Sequence, residues 1–278
     1  MSPNKIKKGK IRDEYSISVD VPKIDFNNVE KYCLKNNRFA SLFLFSMSTM
    51  FPDGESNLIR IVKKLKSSIN DENLNKGVEL LIKQERNHLR IHNRFNSHVY
   101  RLLPVKSFVK KRSQFLNDLA NRFWRSNKNN FKSISYRAYM FEKTNDNLAK
   151  WALDLDQENW TTIEKKLYLW HAIEEIEHSS VAEDLLDYFG EPNLLVRTER
   201  KLKTVFGITF EIFYRTIVFS WRDGLFRKLY FYREILSFLF RYKYFPKFFL
   251  KLFSSLVFQK SDSNSKIKKF VDEKFRFI

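Results

Sequence analysis

Apolar residues recur three and four positions apart along most of this chain, the period of helices with one buried face. The pattern predicts helices over residues 29–50, 55–69, 71–103, 107–125, 131–153 and 162–189. Pro52 suits the first turn of the second helix, Pro104 stops the third, and Gly190-Glu191-Pro192 closes the last. Residues 1–30 alternate polar and apolar around YSISVDV and carry Pro22, so an extended arm with room for a short strand is expected there.

Composition strengthens the helical reading. Glycine and proline number six each in 278 residues, too few to punctuate many short strands, and a 43% hydrophobic chain can bury a full core. Cys33 is the single cysteine, which excludes an intramolecular disulfide and a cysteine-based zinc or iron–sulfur site and fits a reducing compartment. The N-terminus is basic but leads into no apolar stretch of signal type, and the apolar run from Phe39 to Phe51 is too short to span a bilayer, so a cytoplasmic location is expected.

The expected architecture is all-α. A ferritin-like four-helix bundle over residues 31–192 follows the arm, with additional C-terminal helices over 193–258 and a basic tail over 259–278.

The chemistry lies in the histidines. Four of the five fall beside glutamates on two helices. In QERNHLRIH, Glu85, His88 and His92 share one helix face; in WHAIEEIEH, His171, Glu174, Glu175 and His178 do so at i, i+3, i+4 and i+7. A Glu/His pair at i, i+3 on each of two helices is half of a di-iron carboxylate arrangement, to which two further helices each add a glutamate. Glu55 and Glu142 stand on the helices that precede the two pairs. The candidate ligand set is therefore Glu55, Glu85, His88, Glu142, Glu175 and His178, suited to two iron ions, with manganese or zinc as alternatives. His92 and His171 exceed that set and are expected to orient ligands, bind metal or carry protons during turnover.

A solitary Glu-x-x-His is most often a solvated surface pair. Two such pairs, each extended by another histidine on the same face, are better explained by metal, because four carboxylates in one dry site need cations. Glu174, Glu175 and Glu177 crowd one turn beside His178, which costs stability unless a cation or another partner answers them. His98 stands alone and reads as structural; Asp184 reads as solvated or at most an outer neighbour of the site.

Three strings, FPDGE, QERNHLRIH and WHAIEEIEHSSVAEDL, resemble in that order the motifs of a bacterial ferritin-like family named predicted metal-dependent hydrolase, across roughly Met50 to Phe189. The resemblance implies that Glu55, Glu85, His88, His92, Glu142, His171, Glu175 and His178 are metal-site positions. Two departures stand out: that family commonly has His after the glutamate matching Glu142, where this chain has Lys143, and an aromatic residue where Glu183 stands.

The net charge of +19 is uneven, with 19 basic against 7 acidic residues from Arg197 onward, and residues 205–258 are rich in Phe and Tyr. These helices are expected to cover the bundle or an apolar substrate channel. Peripheral contact with an anionic membrane is the alternative, nucleic acid is disfavoured, and a homodimer stays open. The functional expectation is an oxygen-activating oxidoreductase on a hydrophobic small molecule or lipid. A hydrolase using a dinuclear site to activate water, and a non-catalytic metal-binding or membrane-associated protein, are the alternatives.

Overall fold

The computed structural model describes Tyr15, Ile17 and residues 21–155, 160–241 and 244–254. Among the described residues nine α-helices run in order: α1 (Arg38–Ser48), α2 (Phe51–Lys66), α3 (Glu72–Leu102), α4 (Lys106–Asn127), α5 (Phe131–Leu153), α6 (Thr162–Phe189), α7 (Leu194–Arg222), α8 (Leu229–Phe240) and α9 (Phe245–Ser254). Among the described residues the single β-type pairing is an isolated bridge between Leu34 and Trp160. The strand expected around YSISVDV falls mostly outside the described residues, as does the basic tail.

Helix starts follow side-chain caps. Asn37, Asp71, Asn130 and Asn193 each accept a hydrogen bond from the backbone N–H three residues on, which satisfies a donor the first turn leaves open. Gly190, with φ +79°, ends α6 in a conformation other residues resist. The first predicted helix is corrected by this chemistry: residues 29–37 are not helical, and α1 begins only at Arg38. The backbone there is taken by other partners, since Cys33 O accepts from Thr161 N–H and Leu34 N–H donates to Ser41 Oγ.

α5 packs along α6 and α2 along α3, while α2 meets α5 and α3 meets α6, so these four close on one another. Gly54 sets the spacing of α2 and α5, because a Cβ there would fall 2.7 Å from the Phe141 ring. Both residues immediately precede a candidate ligand, so their contact brings Glu55 and Glu142 into register.

α1 is buried along almost its whole length and joins the four helices to the C-terminal layer. Its Phe43 ring touches Trp151 of α5, Phe213 of α7, Phe238 of α8 and Phe248 of α9. A buried ion pair adds to this join: Arg215 of α7 donates to Glu211 and to the Thr49 carbonyl just past α1, and Arg112 of α4 meets the same carboxylate.

The C-terminal helices therefore cover the bundle with one face, as expected, but leave large apolar residues exposed on another. Asp184 corrects the sequence reading: it is buried, and its carboxylate accepts a 2.6 Å hydrogen bond from the Tyr15 hydroxyl. His98 is half-buried against Phe26 and Arg101, away from the other histidines. No described helix is long and apolar enough to cross a membrane.

Candidate metal centre

The four closed helices bring Glu55 (α2), Glu85, His88 and His92 (α3), Glu142 (α5), and His171, Glu175 and His178 (α6) into one buried cluster. Each is at least nine-tenths buried. His178 Nδ1 lies 2.8 Å from Glu85 Oε1, 3.5 Å from Glu142 Oε2 and 3.8 Å from Glu175 Oε2. His88 Nδ1 lies 3.5 Å from Glu175 Oε1 and 3.8 Å from Glu85 Oε1. Glu175 thus straddles the site, with Oε1 toward His88 and His171 and Oε2 toward His178. Glu55 enters beside His171, at 3.8 Å from its Nε2.

The histidines show what the cluster is built to hold. A neutral imidazole carries one proton, so if one nitrogen donates outward, the other offers a lone pair. His88 Nε2 is fixed at 2.8 Å to Glu174, whose other oxygen accepts from the Trp170 indole N–H. Its Nδ1 faces the cluster without a hydrogen-bond partner. For His178, Gln84 donates its amide to Glu177 at 3.2 Å, so Gln84 Oε1 is an acceptor and the 2.6 Å contact takes the proton of His178 Nε2. His178 Nδ1 is again turned inward; its approach to Glu85 is close but lacks hydrogen-bond alignment.

The polarity at His171 is set further away. Asn96 Nδ2 donates to the Ser48 backbone carbonyl at 2.9 Å, and a carbonyl can only accept, so Asn96 Oδ1 must receive the Ser48 hydroxyl proton at 2.7 Å. Ser48 Oγ then accepts from His92 Nδ1 at 2.8 Å, which leaves His92 Nε2 to accept from His171 Nδ1 at 2.7 Å. His171 Nε2 is left as a lone pair, 2.6 Å from Glu175 Oε1. Two acceptors at that distance require a cation or a proton between them.

Both oxygens of Glu55, Glu85 and Glu142, and Oε2 of Glu175, also lack hydrogen-bond partners although buried. Bare carboxylates and imidazole lone pairs converging in a dry interior fit a metal ion, and outward nitrogens tied by Glu174, Gln84 and His92 are the usual supports of metal-binding histidines. Among the described residues the donor atoms form two overlapping groups, Glu85/His88/Glu175/His178 and Glu55/His88/His171, each within 4.8 Å. Opposite donors of an ion at ~2.1 Å stand about 4 Å apart, so little contraction is needed.

The chain as a whole matches one known family. The family described as predicted metal-dependent hydrolase matches residues 20–274. The chain belongs to this family. No curated protein and no solved structure matches it. The family match extends well beyond the three motifs into the C-terminal helices. At the position where family members commonly carry His, Lys143 points to Asp146 at 3.8 Å.

The sequence places Glu174 on the face shared by His171, Glu175 and His178 and in a crowded turn without giving it a role, and it gives no role to Gln84, Ser48, Asn96 or Trp170. Gln84 offered a signal, since it stands four residues before His88 on the same face; Ser48 offered none. The crowding is answered individually for Glu174, by His88 and Trp170, and for Glu177, by Gln84, whereas Glu175 faces the His171 lone pair and is left for a cation or proton to answer.

Without metal, protons must serve. Burial, then the Glu85 charge, pushes the Glu55 carboxyl well above the carboxylate range. Burial pushes Glu142 up to about 8 against the pull of His178. Burial alone would lower His88, but its bond to Glu174 and the nearby Glu175 and Glu85 carboxylates raise it to about 10. Burial and neighbouring imidazoles lower His92 and His171. For Glu55, Glu142 and His88, whose folded pKa values are raised, the stability contributed is complete below the unfolded pKa and is lost as pH rises through the folded one. Chelator-treated protein is therefore expected to melt several degrees lower at about pH 9 than at about pH 7, and divalent metal should abolish that loss. Melting curves with and without metal check this; a metal-free protein that gains stability with alkali would contradict the assignment.

Proposed function

We propose that this chain is a hydrolase with a dinuclear metal site, built on a ferritin-like four-helix bundle, that acts on a small or chain-like apolar substrate. The observation that carries it is the set of three inward imidazole lone pairs among unpartnered buried carboxylates. In this reading Glu85, His88 and His178 would hold one ion and Glu55 and His171 the other, with Glu175 facing both groups and Glu142 beside His178. Bound ions would lower the pKa of water and polarise a carbonyl or phosphoryl group. His92 keeps His171 Nε2 free of a proton.

The substrate class is argued from the adjoining half-open cavity of about 30 Å³, lined by Met47, Phe51, Leu148, Trp151 and Tyr168 and reaching His171 and Glu175. It has room for a water-sized group. Its apolar walls favour an ester or similar linkage carrying hydrocarbon over a sugar or a nucleotide.

A second reading rests on the carboxylate-rich donor set: four glutamates with two Glu-x-x-His pairs suit iron that activates oxygen. One experiment separates the two. The protein is stripped, reloaded with zinc, manganese or ferrous iron, and incubated with aryl esters and phosphoesters of graded chain length. Metal-dependent hydrolysis that favours apolar acyl groups supports the first reading. No hydrolysis with any metal, together with a ferric oxo-bridged absorption band after ferrous loading in air, supports the second.

A further inference from the structure

The corner formed by the end of α7 and by α8 is apolar on its outer side as well as its inner one. Inward, Phe231 and Phe238 meet Phe39 of α1. Outward, Leu229, Arg233, Leu236 and Phe240 form one stripe at helical spacing, and Leu229 and Phe240 are 88% and 78% exposed. Trp221, 66% exposed, ends a second outward stripe that runs along α7 through Phe206, Phe210 and Ile217. Soluble surfaces seldom leave so many large apolar side chains this open to water on successive helices.

The charges of this corner are sorted. Arg222, Arg227, Lys228, Arg233 and Arg241 are all exposed, and among the described residues none has a carboxylate partner. The two carboxylates of the same segment are turned inward: Asp223 is held by Lys31 and the Tyr32 hydroxyl, and Glu234 by Arg38. Every outward charge at the corner is therefore positive.

We propose that this corner docks on an anionic lipid bilayer, with Trp221, Leu229, Leu236 and Phe240 entering the interface and the surrounding arginines and lysine meeting lipid phosphates. Charge complementarity selects this occupant. A second copy would bring five cations against five, which repel. Nucleic acid would meet the cations but leave Leu229 and Leu236 in water, because aliphatic side chains do not stack on bases as aromatic rings do. A bilayer satisfies both kinds of residue at once, lying against the protein without being crossed.

The test is co-sedimentation of the full-length, metal-loaded protein with phosphatidylcholine vesicles, alone or with about one phosphatidylglycerol in three. The wild type should bind the mixed vesicles, and binding should weaken at least tenfold with neutral vesicles. Leu229→Ser with Leu236→Ser and Phe240→Ser, and separately Arg227→Glu with Lys228→Glu and Arg233→Glu, should each weaken it at least tenfold while leaving the melting temperature unchanged. Absence of binding to mixed vesicles overturns the proposal, and so does binding that both triple variants retain. A concentration-dependent dimer that the serine variant breaks, without vesicle binding, also overturns it.

Discussion

Glu85→Gln should cost the protein its metal while leaving the metal-free fold at least as stable as the wild type. Both oxygens of Glu85 are buried without hydrogen-bond partners, one of them 2.8 Å from His178 Nδ1. The amide has the same shape but lacks the charge that draws a cation. Loss of a supporting residue behind a ligand usually weakens metal binding about 10–100-fold, so removal of a ligand charge should exceed about 100-fold. The second half of the expectation distinguishes a metal site from a structural cluster. Removing one of several buried carboxylates relieves repulsion in the metal-free protein, so its melting temperature in chelator should hold or rise. Metal titration by competition with a chromophoric chelator gives the affinity, and melts in chelator give the stability. Unchanged metal content in the variant would end the metal-centre reading.

Ser48→Ala addresses the chain that sets the polarity of His171. With the hydroxyl gone, His92 Nδ1 loses its acceptor and Asn96 Oδ1 its donor, so nothing compels His92 Nε2 to remain an acceptor for His171. The freed pair can turn a proton toward Glu175, in competition with metal. An affinity loss of about 10–100-fold is expected, concentrated in the ion held with Glu55 and His171, so the stoichiometry at limiting metal should fall from two toward one. Two stranded buried polar groups should also cost about 1–3 kcal/mol of stability. Ser46→Ala is the control. That serine is equally buried on α1, and its hydroxyl donates to the Leu42 carbonyl and receives one from Thr216, with no route to a histidine. Equal metal loss in both variants would show that Ser48 acts only through packing.

Several features were legible because they are local. The 3.6-residue period marks the bundle helices, and Glu85/His88 and Glu175/His178 lie on common faces because i and i+3 are neighbours on any α-helix. The stop at Gly190 and the turn before α2 are likewise written in nearby residues. The start of α1 is not legible locally, because apolar spacing continues through residues 29–37 while their backbone partners, Thr161 and Ser41, lie elsewhere in the chain. Asp184 looked solvated because its partner, Tyr15, stands 169 residues away.

By itself the sequence determined an all-α chain with two Glu-x-x-His faces, two added glutamates and a basic, aromatic C-terminal part, since each of these follows from residue identity and helical period. Only the tertiary structure decided which imidazole nitrogen faces the cluster, because that depends on single protons passed among residues from different helices. It alone also decided which side of α8 meets α1 and which meets water, since an apolar stripe on each side leaves the periodicity without a preferred face.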